Sequence, residues 1–384
     1  MKKIGVLTTV DANHGSSIFN NALNRMLARC SPDYDVRFIR HLSIHRYGYE
    51  ILRAMKPNMK IPFYNLRRYK KIIDFEYDNL LIDNFPVTGT YESHIREMHS
   101  RAYDALIVAK VLWDFSTKWF VPRFPNIYWL ASDISAIKIA YAISGHRSDL
   151  TIFRKYKDQV RRILSSYKLI SVRDDITMTM MLEAKVDKEV PVSRIADPAF
   201  MYEYPEYDDD ILRKYGIAGD RPILGLLLYG QPMFSANIAT HYRDKGYIIL
   251  NFNMFNRFAD YNIGHSVDPY EWAAFFKKLS FCITDRFHCS VMCLKNNIPF
   301  VATEPFMPQS IDQSKIYSLL KEFGVTQCYQ NTLMEGFDIT GFKRTCEEIQ
   351  EQWVRDTAPH VAQKCAEALK QHSDFIDRIK YHVT

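Results

Sequence analysis

The sequence feature that most limits the fold is a series of short, nearly continuous apolar runs that alternate with helical patterns. In the first half these runs, which we interpret as strands, are residues 3–10, 36–39, 105–112, 127–131 and 168–172. Apolar runs without polar alternation are typical of parallel strands, because helices cover both faces of a parallel sheet. Residues 16–28 place apolar side chains at helical spacing between the first two runs. This order of strand, helix and strand predicts an α/β domain.

A second series of strand patterns follows a segment of different composition. Residues 196–220 are rich in proline, tyrosine and acidic side chains, and we interpret them as a linker. The strand patterns that follow it are residues 223–229, 248–252, 281–284 and 300–303, and residues 345–379 have the apolar spacing of helices. The sequence therefore predicts an N-terminal α/β domain over residues 1–205, a C-terminal α/β domain over residues 221–344, and C-terminal helices over residues 345–384.

The composition excludes several classes of protein. Of the 384 residues, 47% are hydrophobic and 24% are charged, which is typical of a globular chain and not of a disordered one. No run reaches the roughly 18 apolar residues that a transmembrane helix needs. The net charge of +6 is too small for a nucleic-acid signature, so we expect no nucleic-acid partner. Seven cysteines without paired spacing predict free thiols and a cytoplasmic location.

A basic segment at residues 60–71 admits two interpretations. It carries five basic side chains among Phe63, Tyr64 and Tyr69. We favour a solvated loop or helix. The alternative is a peripheral contact with the inner face of a membrane, where each basic residue near an anionic leaflet contributes about 1 kcal/mol.

The first candidate site follows the first predicted strand, at residues 13–17. Asn13, Gly15 and Ser16 lie there between a strand and a helix. A glycine lets the backbone approach a ligand closely, and the free N–H groups of a helix start favour an anion. The alternative is an ordinary turn that is capped by Ser16 or Ser17.

Two further candidates lie in the second half of the N-terminal domain. Ser144 and Gly145 form another point at which the backbone could approach a ligand, after the predicted strand at 127–131 and a helical stretch. Arg173 directly follows the predicted strand at 168–172. Ligands of open α/β sheets bind at the carboxyl ends of the strands, which favours a functional role for this arginine. The alternative is a surface salt bridge with Asp174 or Asp175.

The strongest candidate is the junction of a predicted strand and helix at residues 285–288. Arg286, Phe287 and His288 follow the strand at 281–284, where an arginine fork, an imidazole and free helix N–H groups together suit a phosphate or carboxylate. The alternative for His288 is a structural histidine at a helix start. The histidines, cysteines and carboxylates show no metal-ligand spacing, so we expect no metal.

At these positions the chain resembles the polysaccharide pyruvyl transferase family. The segments that carry the resemblance are NHGSSIFNNAL at 13–23, SVRDD at 171–175, ADPAF at 196–200, DRFHCSVMCLKNNIPFVA at 285–302 and SKIYSLLKEFGV at 314–325. The resemblance implies two Rossmann-like domains that face a cleft, similar to the GT-B glycosyltransferases, with C-terminal helices returning to the first domain. It also implies phosphoenolpyruvate as donor and a saccharide as acceptor, giving a pyruvate ketal during surface polysaccharide biosynthesis. In place of a glycine-rich turn that members often have, this chain carries Lys110-Val-Leu-Trp113-Asp114.

The resemblance assigns roles by position. Arg286 and His288 match the donor-site motif, and Arg173 matches the second arginine. Phosphoenolpyruvate carries a carboxylate and a phosphate, so two cations held apart should bind it, and we expect a charged His288 to deliver the proton. Further residues that we expect to contact substrate are Phe287, Asn13, Gly15, Ser16, Ser144 and Gly145. The candidates for the base that takes the hydroxyl proton are Asp114, Asp133 and Asp285.

Several choices stay open at the level of sequence. The acceptor could be free or attached to a lipid carrier. One alternative function is a GT-B glycosyltransferase with a nucleotide-sugar donor, in which the same arginine and helix N-terminus hold a diphosphate. Another is a relative that binds carbohydrate without turnover. The identity of the donor discriminates between the first two.

Overall fold

The computed structural model describes residues 1–41, 44–56, 60–85, 88–117, 121–203, 211–306, 311 and 314–383. The strands in these residues form two sheets, one of seven strands and one of five, and every pair of neighbours runs parallel. The predicted architecture of two α/β domains is confirmed.

The first sheet is built from the N-terminal half of the chain. Its strands are β1 (Lys2–Thr8), β2 (Tyr34–Arg40), β3 (Ile82–Asn84), β4 (Ala105–Val111), β5 (Ile137–Ser144), β6 (Leu169–Val172) and β7 (Val192–Arg194). Their order in the sheet is β3-β2-β1-β4-β5-β6-β7. The order reverses between β1 and β4, and such a reversal opens a crevice at the carboxyl ends of those strands.

The second sheet repeats this plan on a smaller scale. Its strands are β8 (Ile223–Leu227), β9 (Ile248–Asn251), β10 (Tyr261–Asn262), β11 (Phe281–Thr284) and β12 (Phe300–Ala302), in the order β10-β9-β8-β11-β12. Every residue of β8, β9, β11 and β12 is buried, which explains their unbroken apolar sequences. Here the order reverses between β8 and β11.

Helices cover both sheets. They are α1 (His14–Cys30), α2 (Ile44–Met55), α3 (Tyr64–Asn79), α4 (Tyr91–Ser100), α5 (Leu150–Arg154), α6 (Lys157–Leu164), α7 (Asp175–Glu183), α8 (Ile211–Lys214), α9 (Pro232–Asp244), α10 (Pro269–Phe275), α11 (Phe287–Lys295), α12 (Lys315–Glu322), α13 (Ile339–Gln352) and α14 (Ala358–Val383). In the part of the chain that the structure describes, none of the helices has the length and apolar character to cross a membrane.

The C-terminal helix α14 joins the two halves. Val361 and Ala368 in its first part belong to the core around the second sheet. Phe375, Ile379 and Val383 in its last part belong to the core between α1 and the first sheet. The helix therefore returns to the first domain, as the resemblance implies.

The strand predicted at residues 127–131 is wrong. Ile127–Trp129 forms a short 3-10 turn, and Trp129 is buried against Trp113 with ring centroids 4.7 Å apart. A turn whose side chains are all buried has the same apolar sequence as a buried strand, so the pattern alone cannot separate them. The strand of this region is β5, in the stretch that the sequence suggested as helical.

The predicted linker at 196–220 lies partly outside the described residues, because residues 204–210 are not among them. Before this gap, Pro198–Met201 forms a buried 3-10 turn, and after it Ile211–Lys214 forms α8. The strand β7 just before the segment was not predicted. The domain boundaries at 205, 221 and 344 stay predictions, and Thr384 lies outside the described residues.

Candidate functional site

The carboxyl ends of both sheets meet at one pocket. Its lining residues come from the ends of β5 and β6, the turn after β7, the start of α11 and the length of α12. They are Ser144, Arg173, Asp174, Asp197, Phe287, Lys315, Leu319 and Glu322. The empty volume of the pocket, including its mouth, is about 330 Å³. Three predicted site residues, Ser144, Arg173 and Phe287, thus line the same cavity.

Arg173 is buried in this pocket and forms an ion pair with Asp197. Its guanidinium lies 5.6 Å from the ring centroid of Phe19 and 5.5 Å from that of Phe287. The alternative of a surface salt bridge with Asp174 or Asp175 is wrong. Asp174 caps α7 by accepting from the Thr177 N–H, and Asp175 pairs with Arg194. Arg173 is therefore a buried cation that faces the cleft.

Asp197 is the carboxylate that orders the centre of the site. Burial disfavours its charged form, but the Arg173 guanidinium, His288 and the Ala199 N–H together hold the pKa of Asp197 below its ordinary value. In the sequence this residue belongs to the segment ADPAF, and no role was predicted for it. Asp197 follows β7 at the same sheet edge as Arg173, but β7 was not predicted, so its position could not be recognised from the sequence.

His288 lies on the other side of Asp197. Its Nε2 is 3.8 Å from Asp197 Oδ2 and has no hydrogen-bond partner among the described residues. Burial lowers the pKa of His288 to about 3, and the attraction of Asp197 is opposed by Arg173, Lys315 and Lys110. The imidazole is therefore neutral at pH 7 in this ligand-free state. The charged form that we expect from the sequence requires bound anions.

The first domain touches His288 through Gly15. A Cβ atom added at Gly15 would lie 2.3 Å from the Cβ of His288, so this helix start accepts no side chain. Asn13 caps α1, and its side chain accepts from the N–H groups of Gly15 at 3.1 Å and Ser16 at 3.4 Å. The cap predicted at Ser16 or Ser17 is wrong. Because Asn13 occupies these two N–H groups, the turn contributes close packing in this state rather than free donors.

Lys315 is a site residue that the sequence analysis missed. It begins α12 after the cap Ser314, and its Nζ lies 5.0 Å from the ring centroid of Phe287. Within the described residues it forms neither an ion pair nor a hydrogen bond. Burial, together with Arg147 and Arg173, lowers the pKa of Lys315 to about 7. The signal that could have found it is the segment SKIYSLLKEFGV, whose second residue is this lysine.

Arg286 stands at the edge of the same site. Its Nε is 2.9 Å from Asp285 Oδ1, and its guanidinium lies 4.6 Å from the ring centroid of Tyr229. Its Nη2 is buried without a partner in the described part of the chain. It is close enough to lower the pKa of Lys315. Arg286 can therefore offer a donor beside the pocket, although it is not one of the residues that line it.

Ser144 and Gly145 have different environments. Ser144 lines the pocket, and its Oγ is 3.3 Å from His146 Nδ1. The N–H of Gly145 donates to Thr177 Oγ1 at 2.7 Å, and a Cβ there would lie 2.4 Å from the Trp113 carbonyl oxygen. Gly145 is thus fixed by packing, whereas Ser144 is available to a ligand.

The three candidate bases are not equivalent. Asp114 is buried and accepts from the Arg147 N–H at 3.0 Å, and burial raises its pKa. Asp285 is buried, accepts from the Tyr229 N–H at 2.6 Å and contacts Arg286. Asp133 is exposed and lies 3.7 Å from His99, outside the pocket. The structure brings only Asp114 and Asp285 near the cleft.

Lys110 stands where the chain departs from the family pattern. It has a positive φ of 88°, and the register of β4 against β5 shifts at this point. Its Nζ donates to the Thr9 carbonyl at 2.6 Å and is 3.5 Å from Asp11. Lys110 thus adopts a backbone conformation that glycine favours. Its buried ammonium binds residues of the loop after β1.

Among the described residues, no group of three or more His, Cys, Asp or Glu side chains could hold a metal ion.

The chain matches a family model and is similar to several solved structures. The family model for "Polysaccharide pyruvyl transferase" matches residues 13–305. A search of curated proteins found no match. Among solved structures, the chain is similar to S. aureus MnaA in a co-structure with UDP, with 13% identity, 100% of this chain and 97% of that chain covered, and a TM-score of 0.54.

Two other solved structures have the same fold. A putative UDP-N-acetylglucosamine 2-epimerase from Listeria monocytogenes has 10% identity, coverage of 96% of this chain and 91% of that chain, and a TM-score of 0.53. A UGT transferase from Siraitia grosvenorii in complex with UDP has 9% identity, complete coverage of both chains and a TM-score of 0.53. At such identities the likeness shows the fold alone, and the fold is the GT-B-like one that we predicted.

Proposed function

Because the chain belongs to the polysaccharide pyruvyl transferase family, we propose that it transfers the pyruvyl group of phosphoenolpyruvate to two hydroxyls of a saccharide. The product is a cyclic pyruvate ketal, made during surface polysaccharide synthesis at the cytoplasmic face of the membrane. The proposal requires a site for a small donor that carries both a phosphate and a carboxylate.

One observation carries the proposal: two cations approach the same aromatic ring inside one pocket. The Arg173 guanidinium lies 5.5 Å and the Lys315 Nζ 5.0 Å from the ring centroid of Phe287. An aromatic ring within reach of a cation stabilises it, so Phe287 favours both charges in the same pocket. A ligand with two anionic ends can therefore be gripped at both, as phosphoenolpyruvate requires.

The carboxylates of the pocket already have partners, and only Asp197 offsets one of the two cations, because its partner is Arg173. Asp197 pairs with Arg173, and Glu322 accepts from Arg194 at 3.2 Å. Asp174 accepts from the Thr177 N–H at 2.9 Å. Lys315 forms no ion pair among the described residues, although the charge of Glu304 favours its ammonium form, and Arg286 has a buried Nη2 without a partner there. Lys315 is therefore the cation of the pocket that is open to an anionic ligand.

The reaction balances without a further reactant. A proton is added to the methylene carbon of the enol, which becomes the methyl group, and a saccharide hydroxyl oxygen forms a bond to the adjacent carbon. The bond between that carbon and the phosphate oxygen then breaks. A second hydroxyl closes the ring on the same carbon. One hydroxyl proton replaces the proton used at the methyl carbon, and the other leaves with inorganic phosphate.

His288 is the proton donor in this proposal. The phosphate and carboxylate of the donor raise its pKa from about 3, because nearby anions favour the imidazolium. Asp197, 3.8 Å from Nε2, orients and supports the charged ring. Lys315 binds the departing phosphate, for which an ammonium is a suitable point charge. Asp114 and Asp285 remain the candidates for the base.

The test is calorimetric titration of the ligand-free protein with phosphoenolpyruvate, UDP, GDP and inorganic phosphate. We expect phosphoenolpyruvate to bind best. Lys315→Gln should weaken its binding by about tenfold or more, since a hydrogen bond to a charged group contributes about 1.5–3 kcal/mol. Lys321→Gln removes the same charge from an exposed position of the same helix and serves as the matched control. Binding of UDP or GDP with none of phosphoenolpyruvate would favour a nucleotide-sugar glycosyltransferase instead.

A further inference from the structure

A second pocket lies beside the residues that precede α1. Its walls are α2, α3, the loop before α1 and the loop after β9. The residues that line it are Ala12, Glu50, Arg53, Ala54, Asn65, Arg68, Tyr69 and Met254, and its empty volume is about 230 Å³. Arg53 Nη2 reaches Met254 Sδ at 3.8 Å, and Tyr64 donates to the Asn253 carbonyl at 2.8 Å. Both domains therefore contribute to this pocket.

Arg68 is built into the pocket rather than solvated. The basic segment at 60–71 was expected to be a solvated loop or helix, but Arg68 is 92% buried, as its 8% exposure shows. Its Nη1 donates to the Ala12 carbonyl at 3.3 Å, and its Nη2 lies 3.4 Å from His14 Nδ1. Its Nε is buried with no partner among the described residues.

His14 explains why Arg68 keeps this position. The ring is buried, stacks on Trp272 with centroids 5.7 Å apart, and its Nε2 is 3.3 Å from the Val267 carbonyl. Burial and Arg68 lower the pKa of His14 well below its ordinary value, so the ring is neutral. A neutral ring that donates through Nε2 must accept through Nδ1, and the donor there is Arg68.

A second arginine, Arg53, faces the same space, so that two guanidinium groups share it with the single carboxylate of Glu50, which opposes the lowering of the Arg68 pKa. Neither Arg53 nor Arg68 forms an ion pair with a carboxylate in the described part of the chain. Burial, and then the charge of Arg53, lower the pKa of Arg68 to about 10, and Arg286 acts in the same direction. Two unpaired guanidinium groups that approach each other in a half-enclosed pocket repel, and a bound anion would relieve the repulsion.

We propose that this second pocket binds the phosphate or diphosphate that joins the acceptor saccharide to its carrier, with Arg53 and Arg68 as the anion-binding residues. The inference rests on the proposed function, because it needs a saccharide acceptor in the cleft. The pocket is next to the donor site: His14 contacts Arg68, and the next residue, Gly15, packs on His288. A carrier phosphate held there places the attached sugar at the entrance to the donor pocket.

Two carriers share this chemistry: a prenyl lipid and a nucleotide. The helices that supply the arginines also expose Leu52, Met55, Phe63 and Leu66, so a prenyl chain would find apolar contacts beside the pocket. The experiment compares inorganic pyrophosphate, geranyl diphosphate and UDP as probes. Tighter binding of geranyl diphosphate than of pyrophosphate would identify a lipid carrier, and tighter binding of UDP a nucleotide carrier.

The test is calorimetric titration with inorganic pyrophosphate in a Lys315→Gln background, which removes competition from the donor pocket. Arg53→Gln should weaken pyrophosphate binding by about tenfold, and Arg53→Lys should restore part of it, because the charge returns without the fork. The matched control is Arg67→Gln, which removes the same charge from an exposed position next to Arg68. Arg53 is only half-buried, so we expect its variants to fold, and thermal unfolding of each variant checks this.

The two proposals fail separately. If Arg53→Gln binds pyrophosphate as tightly as its parent, the second pocket is not an anion site, whether or not phosphoenolpyruvate binds. If phosphoenolpyruvate fails to bind the wild-type chain while Arg53→Gln still weakens pyrophosphate binding, the donor assignment is wrong and the assignment of the anion pocket stands. In the wild type with both sites intact, pyrophosphate should still bind at saturating phosphoenolpyruvate.

Discussion

Gly15 of the first domain lies directly against His288 of the second, and the contact leaves no space for a side chain. A Cβ at position 15 would be 2.3 Å from both Cβ and Cγ of the histidine. The contact joins the start of α1, which follows β1, to the start of α11, which follows β11, and β1 and β11 both flank the order reversals of their sheets. The proposed proton donor is therefore positioned by the packing of one domain on the other.

Gly15→Ala should displace His288 or separate the domains, because the added methyl group overlaps the Cβ of the histidine rather than the end of a flexible chain. We expect a loss of about 1–3 kcal/mol in the free energy of unfolding and weaker binding of phosphoenolpyruvate. Urea denaturation and calorimetry measure the two effects.

The matched control is Gly48→Ala, in α2, where a Cβ meets nothing within 4 Å. Alanine should stabilise that helix by about 0.5–1 kcal/mol. Equal effects of the two substitutions would contradict the importance of the contact between Gly15 and His288.

The stability of the protein should fall between pH 6.5 and pH 4. Burial lowers the pKa of His288 to about 3 and that of His372 to about 4. Below pH 6.5 the unfolded chain binds protons that the folded chain does not, so stability rises with pH in this window and is lost as the pH falls. Each histidine contributes a slope of about 1.4 kcal/mol per pH unit.

Urea denaturation at pH 6.5 and pH 5 measures this slope for the wild type and for His372→Gln. Between pH 6.5 and pH 5 the free energy of unfolding of the variant should fall by about 2 kcal/mol less than that of the wild type. Identical slopes would mean that the folded chain protonates His372 as easily as the unfolded chain does.

The sequence predicted the parts of the site that are local. Arg173 follows a strand, and Arg286 to His288 join a strand to a helix, so their positions at the carboxyl edge of a sheet follow from the pattern of their own segments. The prediction of a strand at 127–131 was wrong because a buried turn and a buried strand have the same apolar sequence pattern. Local patterns report burial more directly than conformation.

The parts that were missed depend on contacts between distant segments. Asp197 and Lys315 are ordinary residues in their own segments, and only the meeting of β6, the turn after β7 and α12 makes them neighbours of Arg173. The same is true of Arg68, which reads as one of several basic residues on a helix and is buried only because His14 and the second domain cover it. No spacing within one segment predicts such a contact.

Binding of phosphoenolpyruvate should take up protons. In the ligand-free protein the pKa of His288 is about 3 and that of Lys315 about 7. The anionic groups of the donor raise both values, so binding should tighten as the pH falls from 8 to 6. Calorimetry in buffers of different ionisation enthalpy measures the number of protons.

Two variants separate the two groups. Lys315→Arg keeps the charge but cannot titrate, so it should lose the uptake between pH 8 and pH 7. His288→Gln should lose the uptake at lower pH. The titration of the donor's own phosphate is common to all variants and cancels in the comparison. A pH-independent affinity in the wild type would contradict the proposed charged state of His288.

Arg194 should contribute more to stability than an ordinary surface arginine, because it connects the two domains. It pairs with Asp175 of α7, and its Nη2 donates to Ser318 at 3.3 Å and to Glu322 at 3.2 Å on α12. Arg194→Ala leaves the half-buried Glu322 without this partner, and the charge of Arg194 opposes the burial that raises the pKa of that carboxyl. We expect a loss of about 1–3 kcal/mol in the free energy of unfolding and weaker binding of phosphoenolpyruvate, since α12 begins with Lys315.

The matched control is Arg161→Ala, whose ion pair with Glu189 lies on the surface of the first domain and should contribute about 0–1 kcal/mol. Urea denaturation compares the variants; an equal loss for both would mean that the bridge between the domains adds nothing beyond a surface pair.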